Sequence, residues 1–76
     1  MNRIRRKAIA ALMSRLDDIR TQLEDIQSEE EDARDAIPEN LWGTERYEMA
    51  EAACDALESA VYALEECVEH LEEAAE

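Results

Sequence analysis

Apolar side chains recur at heptad spacing in two rows along this chain, before and after a segment that holds its single proline and single glycine. Steps of three and four residues alternate along each row, which is the period of α-helices that pack side by side. The first row is Ile9, Leu12, Leu16, Ile19, Leu23, Ile26, Glu30, Ala33 and Ile37, and the second is Tyr47, Ala50, Cys54, Leu57, Val61, Leu64, Val68, Leu71 and Ala75. The sequence therefore predicts an all-α fold, an antiparallel two-helix hairpin with coiled-coil packing.

Proline and glycine set the expected helix boundaries. Pro38 disfavours helical geometry in the residue before it, so the first helix is predicted over residues 3–36. Thr44 is suited to cap the second helix, predicted over residues 44–75, and residues 37–43 form the turn. A chain of 76 residues has room for one domain, so residues 1–76 are expected to form a single helical hairpin.

Placing Ile37 opposite Tyr47 predicts which residues of the two rows meet. The resulting pairs are Leu23 with Val61, Ile19 with Leu64, Leu16 with Val68 and Leu12 with Leu71. Glu30 interrupts the first row opposite Cys54, either as a solvated edge residue or as a polar contact that specifies the register.

The second helix carries another row of small and apolar residues beside the first. Its members are Met49, Ala53, Ala56, Ala60, Ala63 and Cys67, continued by His70 and Ala74. Two helices alone make a poor core, and small side chains allow another helix to approach closely, so we expect a homodimer that forms a four-helix bundle with this row as its seam. The alternative is that alanine, the best helix former, simply fills a neutral flank.

Charge is large and unevenly distributed along the chain. The net charge is −13, with +4 over residues 1–20 and −17 over residues 21–76. So acidic a surface disfavours direct binding of nucleic acid or anionic lipid and favours a basic protein partner. The basic cluster Arg3, Arg5, Arg6 and Lys7 is expected to pair with Glu69, Glu72, Glu73 and Glu76, within or between chains, and the alternative is an anion-binding arm.

Cysteine usage and hydropathy bear on the compartment. Cys54 and Cys67 are 13 residues apart on one predicted helix, about 20 Å along its axis, so they cannot form a disulfide within the chain. The apolar run of residues 8–13 is too short for a signal-peptide core or a membrane span. We therefore expect a cytoplasmic protein with no membrane partner.

Candidate chemistry is sparse. Cys67 and His70, with Glu66 and Glu73 nearby on the helix, would form one edge of a metal site, but a di-metal bundle needs matching ligands on other helices and the chain has one histidine. No phosphate-binding loop or nucleophile motif is present. We expect no enzyme activity, no cofactor and no metal, with a metal-binding bundle as a remote alternative.

Aromatic residues among carboxylates are the candidate partner-binding residues. Trp42 falls at the tip of the hairpin, where it either caps the core or serves as an exposed anchor. Tyr62 falls on the outer face of the second helix and is expected to be exposed. The predicted partner-binding residues are Trp42, Tyr62, Glu65, Glu66 and Glu69.

The turn carries a resemblance to known sequences. The segment Ile-Pro-Glu-Asn-Leu-Trp-Gly-Thr-Glu-Arg at residues 37–46, followed by Glu-Ala-Ala-Cys-Asp-Ala-Leu-Glu at residues 51–58, resembles a group of short acidic helical proteins of gut bacteria and their phages or mobile elements. The group has no assigned activity. The resemblance implies an accessory protein of a mobile element.

Two functional hypotheses follow from these observations. The first is a small acidic protein-interaction module that occupies a basic surface, in the manner of a nucleic-acid mimic used in anti-defence or regulation. The second is a structural coiled-coil scaffold whose acidity serves solubility.

Overall fold

Two long helices pack against each other in the computed structural model, which describes residues 1–76. Helix α1 spans Arg3–Asp35 and helix α2 spans Glu45–Ala75, joined by a short turn. The prediction of an all-α hairpin is therefore confirmed. The molecule measures 59 × 15 × 12 Å, and its radius of gyration of 17.3 Å exceeds the roughly 11 Å typical of a compact domain of this length. The hairpin is a rod with little interior.

Each helix begins at a side chain that satisfies free backbone N–H groups. Asn2 Oδ1 accepts a hydrogen bond from Arg5 N at 2.9 Å, and Thr44 Oγ1 accepts one from Tyr47 N at 3.4 Å. These are the usual N-cap bonds, and the predicted role of Thr44 is confirmed. α1 ends at Asp35, before Pro38 as the proline rule requires.

The turn reverses the chain with a short 3₁₀ segment at Glu39–Leu41 and one left-handed residue. Gly43 has φ +87°, a conformation that a side chain strongly disfavours. Thr44 Oγ1 donates to the carbonyl of Leu41 at 2.6 Å while it caps α2, so one hydroxyl links the 3₁₀ segment to the first turn of α2. Local hydrogen bonds therefore set the geometry of the second half of the turn.

The interface between the helices differs from the predicted pairing by a rotation of α1. Leu16 and Leu23 are partly buried as expected, but Leu12, Ile19 and Ile26 leave 47%, 45% and 49% of their surfaces exposed. The positions next to them are the partly buried ones: Met13, Arg20, Gln27 and Arg34. The pairs that placed Leu12 and Ile19 against α2 are therefore wrong. Only Ile37, Cys54 and Val61 are buried.

Candidate functional site

The hairpin has two long sides of opposite character. One, called here the apolar side, carries Leu12, Ile19, Ile26 and Ala33 of α1 together with Met49, Ala53, Ala56, Ala60, Ala63 and Cys67 of α2. The other, called here the polar side, carries Asp17, Arg20, Glu24 and Gln27 of α1 together with Glu58, Tyr62, Glu65 and Glu69 of α2. The first side therefore offers aliphatic surface, and the second offers carboxylates with one guanidinium and one phenol.

Arg20 is the centre of the polar side. Its guanidinium lies 2.7 Å from Asp17 Oδ1, 3.3 Å from Glu24 Oε1 and 3.8 Å from Glu65 Oε1. Its Nε is enclosed without a well-aligned hydrogen bond. The contact with Glu65 is the ion pair that joins the two helices. Arg20 occupies a position facing α2 because its aliphatic stem covers apolar surface while its charged end reaches the carboxylates.

Tyr62 stands beside this cluster and points outward, as the sequence predicted. The ring is 60% exposed, and its hydroxyl donates to Glu58 Oε1 at 3.2 Å. That hydrogen bond, with the nearby charge of Glu58, raises the pKa of the phenol above its usual range. Tyr62 is one of six residues that line a shallow groove of about 220 Å³; the others are Glu24, Gln27, Glu58, Val61 and Glu65.

The other predicted partner-binding residues do not form one patch. Glu65 is partly buried by its contact with Arg20, whereas Glu66 lies 3.6 Å from His70 Nε2 on another face of α2. Glu69 lines a separate groove of about 250 Å³ with Leu16, Arg20 and Val68. The structure therefore brings Tyr62, Glu65 and Glu69 to the polar side and directs Glu66 away from it.

Trp42 packs on the turn and is also half exposed. Its Nε1–H donates to the carbonyl of Ile37 at 3.0 Å, and its ring stacks on Tyr47 with 5.5 Å between centroids. Half of the side chain remains exposed. Residues 47 and 62 are about 22 Å apart along α2, so the exposed edge of Trp42 and the ring of Tyr62 belong to different surfaces.

The apolar side unites the predicted dimer seam with a row that sequence reasoning placed elsewhere. Ala33 of α1 and Met49 and Ala53 of α2 line one open groove of about 610 Å³ near the turn, and its charged lining residues are Glu30, Glu45 and Arg46. Leu12, Ile19 and Ile26 continue the Ala33 line at seven-residue intervals. Three positions in seven of α1 are apolar over this stretch, which is the width of the apolar stripe on an ordinary amphipathic helix, so the sequence did not distinguish the row that meets α2 from the row that stays exposed.

Charge pairing at the open end of the hairpin is weaker than expected. Arg6 donates to the backbone carbonyl of Glu76 at 3.4 Å, but no side chain of the basic cluster lies within ion-pair distance of a carboxylate. The predicted pairing with the C-terminal glutamates is therefore not formed within the chain. Nor do three or more His, Cys, Asp or Glu side chains come together in the geometry of a metal site.

The two cysteines are free thiols in contrasting surroundings. Cys54 is buried in the interface and Cys67 is exposed on the apolar side. Burial raises the pKa of the Cys54 thiol, Arg34 opposes that shift, and the nearby carboxylates of Glu30 and Glu31 add to it. A thiol held protonated in this way is a small apolar core group, not a nucleophile.

Comparison with known proteins does not place this chain in a family. No protein-family model matches this chain, and no curated protein or solved structure shows significant similarity to it. Neither helix has the length and apolar character needed to cross a bilayer. The surface chemistry of the hairpin is therefore the basis for a functional conclusion.

Proposed function

We propose that this protein is a small acidic protein-interaction module that pairs into a homodimeric four-helix bundle and binds a basic protein partner in the cytoplasm. The observation that carries the proposal is the separation of the two long sides. Apolar residues on one side are suited to self-association, while the polar side keeps carboxylates and one aromatic ring in water. No enzyme activity, cofactor or direct nucleic-acid contact is part of the proposal.

The polar side has the features of a surface that recognises cations. Exposed Tyr62 offers a ring for cation–π and apolar contact, with Glu58 beside it and Glu69 about two helical turns further along the polar side, and neither carboxylate is neutralised by an ion pair. Rows of acids along a 59 Å rod would also imitate a phosphate backbone, which supports the narrower hypothesis of a nucleic-acid mimic encoded by a phage or mobile element.

The first prediction tests location of charge and not its total. Glu65→Lys, Glu66→Lys and Glu69→Lys together should slow association with a basic partner, captured from the source cell at low salt, by ten-fold or more. The matched control is Asp18→Lys, Asp25→Lys and Asp32→Lys, which changes the net charge equally on exposed positions of α1 without ion pairs. Association kinetics of both triple variants, with helicity checked, measure the difference.

The aromatic residues should affect the rate of dissociation from the partner. Tyr62→Ala or Trp42→Ala should speed dissociation, while Tyr62→Phe, which keeps the ring and loses the hydroxyl, should not. If the partner binds equally well at about 50 mM and 500 mM salt, where screening differs greatly, recognition is not electrostatic and the scaffold function replaces this one. Equal effects of the two triple variants would show that only total charge matters.

The scaffold alternative rests on a specific observation. Acids are exposed around most of the rod and are not confined to the polar side, as solubility alone would require. A scaffold would self-associate and show no salt-sensitive partner.

A further inference from the structure

The rod exposes more surface than a compact protein of its mass, and large apolar side chains are part of that surface. The chain has 5776 Å² of accessible surface, whereas a compact monomer of 8.7 kDa exposes about 4,700 Å². Leu12, Ile19, Ile26 and Met49 of the apolar side are all exposed. The excess of about 1,000 Å² over the whole molecule leaves room for an interface of standard size, which buries roughly 800 Å² on each partner. A second copy of this chain offers a surface of matching size and character.

The row on α1 is complementary to itself. Leu12 and Ile26 lie seven residues on either side of Ile19, and beyond them come Arg5 at one end and Ala33 at the other. A two-fold axis through Ile19, perpendicular to the helices, therefore places Ile19 on Ile19 and Leu12 on Ile26 of a second, antiparallel α1. A two-fold interface must have such a self-complementary patch.

The row on α2 accommodates the same axis. The 3.8 Å contact between Arg20 and Glu65 shows that position 65 is level with the centre of the α1 row. About position 65 the part of the α2 row from Ala56 to Ala74 is symmetric, because Ala63 is matched with Cys67, Ala60 with His70, and Ala56 with Ala74, while Met49 and Ala53 near the turn have no counterpart. Apart from His70, small residues then face each other across the second helix pair, where they allow close approach.

Charge at the two ends of the rod favours two hairpins with their turns at opposite ends over two hairpins with their turns at the same end. Residues 29–48 at the tip carry eight acids and two arginines, so tips placed side by side would repel. The axis through Ile19 instead brings Arg5 of the second copy level with Ala33, at the 610 Å³ groove whose charged lining residues are Glu30, Glu45 and Arg46, a balance of one negative charge. Arg5 has no ion-pair partner in its own chain.

We infer that two copies pack through their apolar sides about a two-fold axis at Ile19, with their turns at opposite ends and the basic N-terminal turn of each beside the acidic tip of the other. The inference rests on the homodimer of the proposed function and specifies its geometry. It also leaves both polar sides on the outside of the bundle, so each dimer presents two identical binding surfaces.

A disulfide across the axis tests the geometry. In a background of Cys54→Val and Cys67→Ala, Ile19→Cys should form a covalent dimer under mild oxidation in most of the protein. Thr21→Cys, which lies at nearly the same level on the opposite, exposed face of α1, should form at least ten-fold less. A parallel bundle would place the two Ile19 positions diagonally and give no excess over the control.

A second measurement uses the unaltered chain. Lys7 is the only lysine, and a carbodiimide joins amines directly to neighbouring carboxylates. A link from Lys7 or the Met1 amine to Glu30 or Glu45 can form only between antiparallel copies, because these groups lie near opposite ends of a 59 Å rod. A parallel dimer would give links only to the C-terminal glutamates.

Different outcomes test the homodimer itself and its antiparallel geometry. A one-chain mass at micromolar concentration, measured by sedimentation equilibrium, overturns both the homodimer and this geometry. A two-chain mass without the links to Glu30 or Glu45 and without the Ile19→Cys disulfide overturns the geometry alone. If Ile19→Cys itself prevents dimerisation, the links in the unaltered chain decide.

Discussion

At the scale of single residues, surroundings decide chemistry. Cys54 and Cys67 are the same side chain on the same helix, yet one is enclosed between the helices and the other faces outward. Tyr62 and Tyr47 differ in the same way, since Tyr47 stacks under Trp42 while Tyr62 meets water and Glu58. Of the exposed members, Tyr62 is a candidate partner-binding residue and Cys67 belongs to the predicted dimer seam.

Burial of Cys54 has a consequence for stability at alkaline pH. Because the pKa of its thiol is higher in the folded than in the unfolded chain, the folded state retains the proton longer. Its contribution is fully present below about pH 8.5 and should be lost as pH rises through the folded pKa. The free energy of unfolding, measured by urea denaturation, should therefore fall more steeply above that pH in the unaltered chain than in Cys54→Val. Parallel profiles for both proteins would contradict this assignment.

At the scale of secondary-structure elements, the turn holds the hairpin together by local geometry. Gly43 is left-handed at φ +87°, and a Cβ at this position would meet nothing within 4 Å. The need for glycine therefore comes from backbone conformation and not from crowding. Pro38, the 3₁₀ segment and the Thr44 cap then set the direction in which α2 leaves the turn.

Gly43→Ala should destabilise the hairpin by about 1–2 kcal/mol, the cost of placing an L-residue in the left-handed region. Gly43→Asn is the matched control, since asparagine tolerates that region better, and it should cost less. Denaturation at one fixed protein concentration measures both, because the stability of a self-associating protein depends on concentration. Equal costs would indicate that added side-chain bulk, and not φ, is responsible.

At the scale of the whole molecule, the shape and the charge act in opposite directions. The rod has three buried residues and an exposed apolar side, which the proposed homodimer would cover, but two copies of net charge −13 repel each other. Hydrophobic burial must exceed that repulsion for a dimer to form. Solvent conditions that weaken repulsion should therefore favour self-association.

Raising salt from about 50 to 500 mM should tighten the homodimer, and lowering pH from 7 toward the isoelectric point near 4.3 should do the same. Binding of a basic partner should weaken over the same salt range. Sedimentation equilibrium measures the first effect and titration of the partner the second. If salt dissociates the homodimer, contacts between the basic N-terminal turn and the acidic tip outweigh the net repulsion.

The sequence alone was sufficient for the hairpin, for the place of the turn and for the Thr44 cap, because these depend on local periodicity, proline, glycine and a short-range hydrogen bond. The exposure of Tyr62 also followed from helical spacing. The rotation of α1 about its own axis could not be predicted in this way. Two rows of α1 lie on either side of the line that contacts α2: one contains Leu12, Ile19 and Ile26, and the other contains Met13, Arg20 and Gln27. Hydrophobicity favoured the first row as the one facing α2.

Only the tertiary structure decided that the second row meets α2, with Arg20 contributing its stem to the interface and its charge to Glu65. Which of two flanking rows is buried depends on how the side chains of both helices pack together, and the periodicity of one helix carries no information about the other. The union of the two apolar rows on one side also required the relative placement of the helices.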